Sequence, residues 1–195
     1  NACWPMYAAM PAVLKEAIER SYQKAGWNLR NSESEKGVFP TFFDLLDILP
    51  GVIEESHYSK DTQSDYVGAL CTRVKSLTNG IYGSVFCAED ALSDAELFDC
   101  NVVVDLSRVG SMETKSLLMG ILVMKLQEYR MCGSEMNSRL RHVTVLEEAH
   151  NLLRKTSAEQ SQEGANLQGK SVEMLANAIA EMRTYGEGFI IADQA

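Results

Sequence analysis

The sequence predicts an α/β protein in which a parallel sheet is flanked by helices and preceded by a mainly helical segment. Two observations carry this expectation. Over roughly the first eighty residues, apolar side chains recur at helical spacing. From about residue 81 onward, short apolar runs bounded by polar residues alternate with helix-length stretches, the pattern of strands joined by helical crossovers. The length of 195 residues and the 46% hydrophobic content suffice for one substantial domain. That domain is read as a helical segment, 1–80, followed by a sheet-bearing core, 81–195.

Taken in order, Pro11 to Ala25 forms the first amphipathic helix: Val13, Leu14, Ala17, Ile18 and Tyr22 share a face, Pro11 suits a first turn and Gly26 a C-terminal cap. A short helix begins at Pro40-Thr41-Phe42-Phe43-Asp44 and is expected to end near Pro50-Gly51. Gly51 to Asp65 reads as loop with some helix. Tyr66 to Leu77 carries Val67, Leu70, Cys71, Val74 and Leu77 on one face, and Thr78-Asn79-Gly80 stops it. Four strands are then expected: Ser84 to Cys87, Asn101 to Asp105, His142 to Leu146 and Gly188 to Ala192. Two helices supply crossovers: Met112 to Arg130, entered through Ser111, and Ser171 to Tyr185, with Val172, Leu175, Ala176 and Ile179 on one face.

Composition narrows the function classes. No run of eighteen apolar residues occurs, and the opening Asn1-Ala2-Cys3-Trp4-Pro5 lacks the form of a signal peptide, so a cytoplasmic protein is expected. The five cysteines, Cys3, Cys71, Cys87, Cys100 and Cys132, are scattered without a CxxC pair; they suggest mostly buried thiols rather than disulfides or a zinc site. A net charge of −9 argues against nucleic-acid binding by the chain as a whole and leaves any DNA contact to a few local loops. The chain opens on Asn and closes directly after an expected buried strand, which suggests a truncated sequence.

In an open α/β sheet, ligands gather at the carboxyl ends of strands. Three apolar runs end in polar groups there: Asp105-Leu106-Ser107-Arg108, Glu147-Glu148-Ala149-His150 and Asp193-Gln194. The middle one has the form of a Walker B motif, since Val143-Thr144-Val145-Leu146 delivers two adjacent carboxylates to the sheet edge. Nucleotide hydrolysis needs both: one acid to hold Mg²⁺ through its water shell, the other to polarise the attacking water. Two acids at a helix start also simply complement its dipole, worth about 0.3–1 kcal/mol each at an exposed site.

The stretch Val143-Thr144-Val145-Leu146-Glu147-Glu148-Ala149-His150-Asn151-Leu152-Leu153, together with 180–194 (Ala180-Glu181-Met182-Arg183-Thr184-Tyr185-Gly186 through Ile190-Ile191-Ala192-Asp193-Gln194), resembles the HerA-like branch of the HerA/FtsK ATPases. Asn101 to Ser107 and Leu77 to Phe86 resemble the segments preceding Walker B in that family. The resemblance implies an incomplete RecA-like P-loop NTPase sheet and a homohexameric ring motor that binds ATP and Mg²⁺, translocates DNA and can work with a nuclease partner. Carried over residue by residue, it makes Glu147 the metal-side acid, Glu148 the water-activating acid, Gln194 the polar sensor of the γ-phosphate and Arg183 the arginine of an Arg-x-x-Gly segment. Glu147 stands where many relatives have Asp, a longer arm by one methylene. Arg108, Arg139 and Arg141 are further candidates for an arginine finger, and a surface ion pair with Glu181 or Glu187 is the plain alternative for Arg183. His150 is given no catalytic role.

Gly164-Ala165-Asn166-Leu167-Gln168-Gly169-Lys170-Ser171 fits the P-loop expression G-x-x-x-x-G-K-[ST], but no apolar strand precedes it and it follows Walker B. The expected phosphate-binding loop therefore lies upstream of Asn1. Two alternatives to a DNA motor stand beside it: a conjugation or type IV secretion ATPase, and a non-hydrolysing assembly module.

Overall fold

The structure, a computed structural model, describes residues 6, 8–88, 90–133, 135–148 and 176–192. Among the described residues it is mixed α/β with two small sheets, one of them parallel, and it divides into two compact units, one spanning Met6–Ala91 and the other running from Leu92 onward. Among the described residues, no helix is long and apolar enough to cross a membrane.

The first unit is helical, as its periodicity predicts. Helix α1, Met10–Lys24, has Pro11 in its first turn and Lys24 in its last, and it buries Met10, Val13, Ala17 and Ser21 along one stripe. A minimal antiparallel pair, β1 (Trp27–Asn28) and β2 (Glu33–Ser34), follows. Helix α2, Phe42–Glu55, opens on a box in which the Thr41 N–H and hydroxyl both donate to Asp44 Oδ2, at 2.7 and 2.9 Å. It does not stop at Pro50-Gly51 as expected but runs through them. Pro50 sacrifices one backbone bond; Leu49, Val52 and Ile53, all buried in the same core as α1, hold the helix together around it.

Helices α3 (Lys60–Tyr66) and α4 (Thr72–Thr78) are joined by a π-helical stretch, Val67–Cys71, so the expected loop before Asp65 is largely helical. Tyr66, Leu70, Val74 and Leu77 are buried. The next expected element is corrected: Ser84 to Cys87 is not a strand, because Gly80–Phe86 forms helix α5. A four-residue apolar run does not distinguish strand from helix. Here Gly83 lies so close to the Thr78 carbonyl that a Cβ would sit 2.3 Å from its oxygen, and Phe86 packs edge-on to Phe42 with ring centroids 5.6 Å apart.

In the second unit, α6 (Asp94–Phe98) starts at a Ser93/Glu96 capping box. Asn101 to Asp105 is likewise not a strand. It carries strand-type residues but forms no ladder among the described residues, and Val103 is 92% exposed. Helix α7, Met112–Gly133, is entered through Ser111 as expected, whose hydroxyl accepts from the Thr114 N–H at 3.3 Å. It buries Met119, Val123, Leu126 and Arg130. Residues 176–182 form α8, followed by a 3₁₀ turn, Arg183–Tyr185. Residues 171–175 of the expected helix lie outside the described residues. The inward positions of α8 are Ala178 and Met182 rather than Ala176, which is exposed.

The parallel sheet is the pair β3 (His142–Glu147) and β4 (Glu187–Ala192), with His142 opposite Glu187 and Glu147 opposite Ala192. Phe98, Val123, Leu126 and Met182 form the core of this unit, with Ile179 and Phe189 packed on it. The opposite sheet face is open: Val143, Val145 and Ile190 are 40, 55 and 54% exposed. Cys71, Cys87, Cys100 and Cys132 are free thiols; Cys100 and Cys132 are exposed, against the expectation of burial. Burial raises the Cys71 thiol above its ordinary value.

Candidate functional site at the ends of the parallel pair

Strand β3 alternates in exposure, and its last residue, Glu147, faces outward at the carboxyl end, followed by exposed Glu148. The chain turns sharply there: Glu148 has φ 51°, in the left-handed region that non-glycine residues rarely occupy. Its N–H donates to the Ala192 carbonyl at 2.9 Å, so the end of β4 fixes where the second acid leaves the sheet. The two acids are thus adjacent at one strand end, and their carboxylate oxygens are the hard donors that Mg²⁺ accepts, directly or through water. Among the described residues, no cluster of three or more metal-ligating side chains occurs. Asp193, Gln194, His150 and the Gly164 to Ser171 match lie outside the described residues.

Arg183 is placed elsewhere. It is exposed in the 3₁₀ turn that precedes β4, at the amino end of the pair, where it lines an open depression with Ser138, Leu140, Ile179 and Phe189. Strand β4 rises about 3.3 Å per residue, so roughly 16 Å of strand separates this end from the acids. Within one chain, Arg183 and Glu148 are not brought together. Arg108, Arg139 and Arg141 are exposed, and Arg139 and Arg141 lie at the same amino end as Arg183. The turn is tight: a Cβ on Gly186, at φ 81°, would meet the Arg139 carbonyl oxygen at 2.4 Å.

The surface pairing considered for Arg183 is also corrected. Glu181 accepts from Gln127 Nε2 at 3.0 Å, and Glu187, 1% exposed, pairs with Arg130. Arg130, itself 4% exposed, donates Nε to Glu187 Oε2 (2.9 Å), one Nη to Asp99 Oδ1 (2.6 Å) and the other to the Phe98 carbonyl (2.5 Å). Glu187 Oε1 accepts from Thr144 Oγ1 (2.7 Å) and from His142 Nδ1 (2.8 Å), which is the donor because a carboxylate only accepts. Burial works against the Arg130 charge, but bonds to Asp99 and Glu187 outweigh it and raise its pKa. The Tyr129 hydroxyl, bonded to Asp99, and then Arg130 hold the Asp99 carboxyl below its ordinary range.

This network ties α6, α7, β3 and β4 together, and the sequence reading did not anticipate it. Its only local signals were a charged residue opening an apolar run at Glu187 and an arginine on the buried stripe of α7. No family model matches the chain, and no curated protein or solved structure matches it.

Proposed function

We propose that this chain is the Walker B and sensor part of an ATP-hydrolysing ring motor of the HerA/FtsK type, acting in the cytoplasm as a homohexamer that translocates DNA, in some settings with a nuclease partner. The observation that supports it best is the parallel β3–β4 pair, which carries Glu147 and Glu148 to an exposed carboxyl end with the Glu148 N–H tied to Ala192. In this reading Glu147 holds the water shell of Mg²⁺, and Glu148 takes the proton of the attacking water. Bound Mg²⁺ supplies neutralisation of the phosphate charge. Gln194, two residues beyond β4, senses the γ-phosphate. Arg183, at the far end of the pair, serves a neighbouring subunit's nucleotide rather than its own.

The test uses the protein that carries its phosphate-binding loop. Glu148→Gln keeps the size of the side chain but removes the base, so turnover should fall by at least about 100-fold while ATP binding persists. Turnover at the wild-type rate would refute the assignment.

A further inference from the structure

In the parallel β3–β4 pair a slip by two residues would keep every side chain on its own face, so the in/out alternation alone does not distinguish the observed register from one two residues away. Val143, Val145 and Ile190 on the open face are about half exposed and lose little in such a slip. At the amino end the situation differs. Glu187 is buried, lies directly opposite His142, and uses one oxygen for His142 Nδ1 and Thr144 Oγ1 and the other for Arg130 Nε. A slip by two would take one β3 donor away from a buried carboxylate, which is costly. At the carboxyl end, the bond from the Glu148 N–H to the Ala192 carbonyl exists only in the observed register.

We propose that Glu187 is a positioning residue: gripping His142 and Thr144, it sets the β3–β4 register and so holds Glu148 in its left-handed turn at the other end of the pair. As a statement about catalysis, this rests on the hydrolytic reading of Glu148; as a statement about geometry, it does not. Thr144 is the handle for testing it, since Thr144→Val preserves shape and removes one bond to Glu187, while Thr144→Ser keeps the hydroxyl.

Amide exchange at Glu148 is the primary readout, with the Val123 and Leu126 amides of α7 as internal references. Thr144→Val should speed exchange at Glu148 roughly fivefold or more relative to those references, the factor expected for one lost hydrogen bond, and Thr144→Ser should restore protection. In the protein with its phosphate-binding loop, kcat should fall in Thr144→Val with KM for ATP unchanged, and recover in Thr144→Ser. Should Thr144→Val fail to fold, His142→Phe removes the other bond to the same oxygen and should give the same pattern. Lower thermal stability with unchanged relative exchange at Glu148 would overturn the proposal. Unaltered turnover in Glu148→Gln would instead sink the hydrolytic reading alone, whatever the Thr144 variants do to the amide.

Discussion

At the scale of single residues, the greatest electrostatic stake lies at Arg130. Its guanidinium is almost fully buried and bonded to Glu187, Asp99 and the Phe98 carbonyl. Asp99 is half exposed and can rehydrate if its partner is lost, whereas Glu187 cannot. Arg130→Met should therefore cost about 3–5 kcal/mol, nearly all of it from the carboxylate left buried with only Thr144 and His142 as donors. The double variant Arg130→Met/Glu187→Leu removes both charges and should regain most of that loss. Urea unfolding of the single and double variants measures the difference; a double variant as unstable as the single would show that the cost lies in packing rather than in the unpaired charge. Glu148 presents a different residue-scale feature, backbone strain at an exposed acid. Strain of this kind persists only where neighbouring structure enforces it, and the bond to Ala192 is the visible enforcement.

At the scale of elements, helix α2 shows how a local signal becomes stability. The Thr41 N–H and hydroxyl both bond to Asp44, and the backbone bond, opposed by burial, holds the Asp44 carboxyl below its ordinary range. A depressed carboxylate pKa means that the contribution is fully present above the unfolded value, about 3.9, and is lost as pH falls through the folded value. Asp44→Ala should thus cost about 1 kcal/mol at pH 7, and the gap between variant and wild type should close as the pH drops below about 4. Chemical denaturation at several pH values checks this; a gap that persisted in strong acid would assign the effect to packing. Elements of this kind were legible because their determinants are neighbours in sequence. The Pro11 start of α1 and the Ser111 entry to α7 each sit within one turn of chain, whereas the buried stripe of α1 runs through Met10, Val13, Ala17 and Ser21 and leaves the expected Ile18 40% exposed. Ser84 to Cys87 and Asn101 to Asp105 carry residue types that suit strands, while the outcome depends on remote partners: Phe42, packed against Phe86, for the first, and a ladder neighbour for the second. The acid pair could be found by motif, but not the turn at Glu148. The Arg130–Glu187 pair, 57 residues apart, left no periodic trace.

At the scale of the whole molecule, charge sets what the chain does alone. With 18 basic against 27 acidic side chains, the net charge is −9, and a polyanion approaching such a surface meets repulsion except near local basic groups. The Arg139, Arg141 and Arg183 end of the parallel pair is such a local exception, but it lies in a unit that also exposes Glu147 and Glu148. Few phosphates can be neutralised at once, so little counterion release is available to drive binding. The 195-residue chain should accordingly bind duplex DNA no more tightly than a Kd of about 10⁻⁴ M at physiological salt, the weak end of nonspecific binding. Fluorescence anisotropy across a salt series tests this, and Arg183→Glu should leave the result unchanged. Micromolar binding with a steep salt slope would reveal a basic surface that the charge distribution conceals.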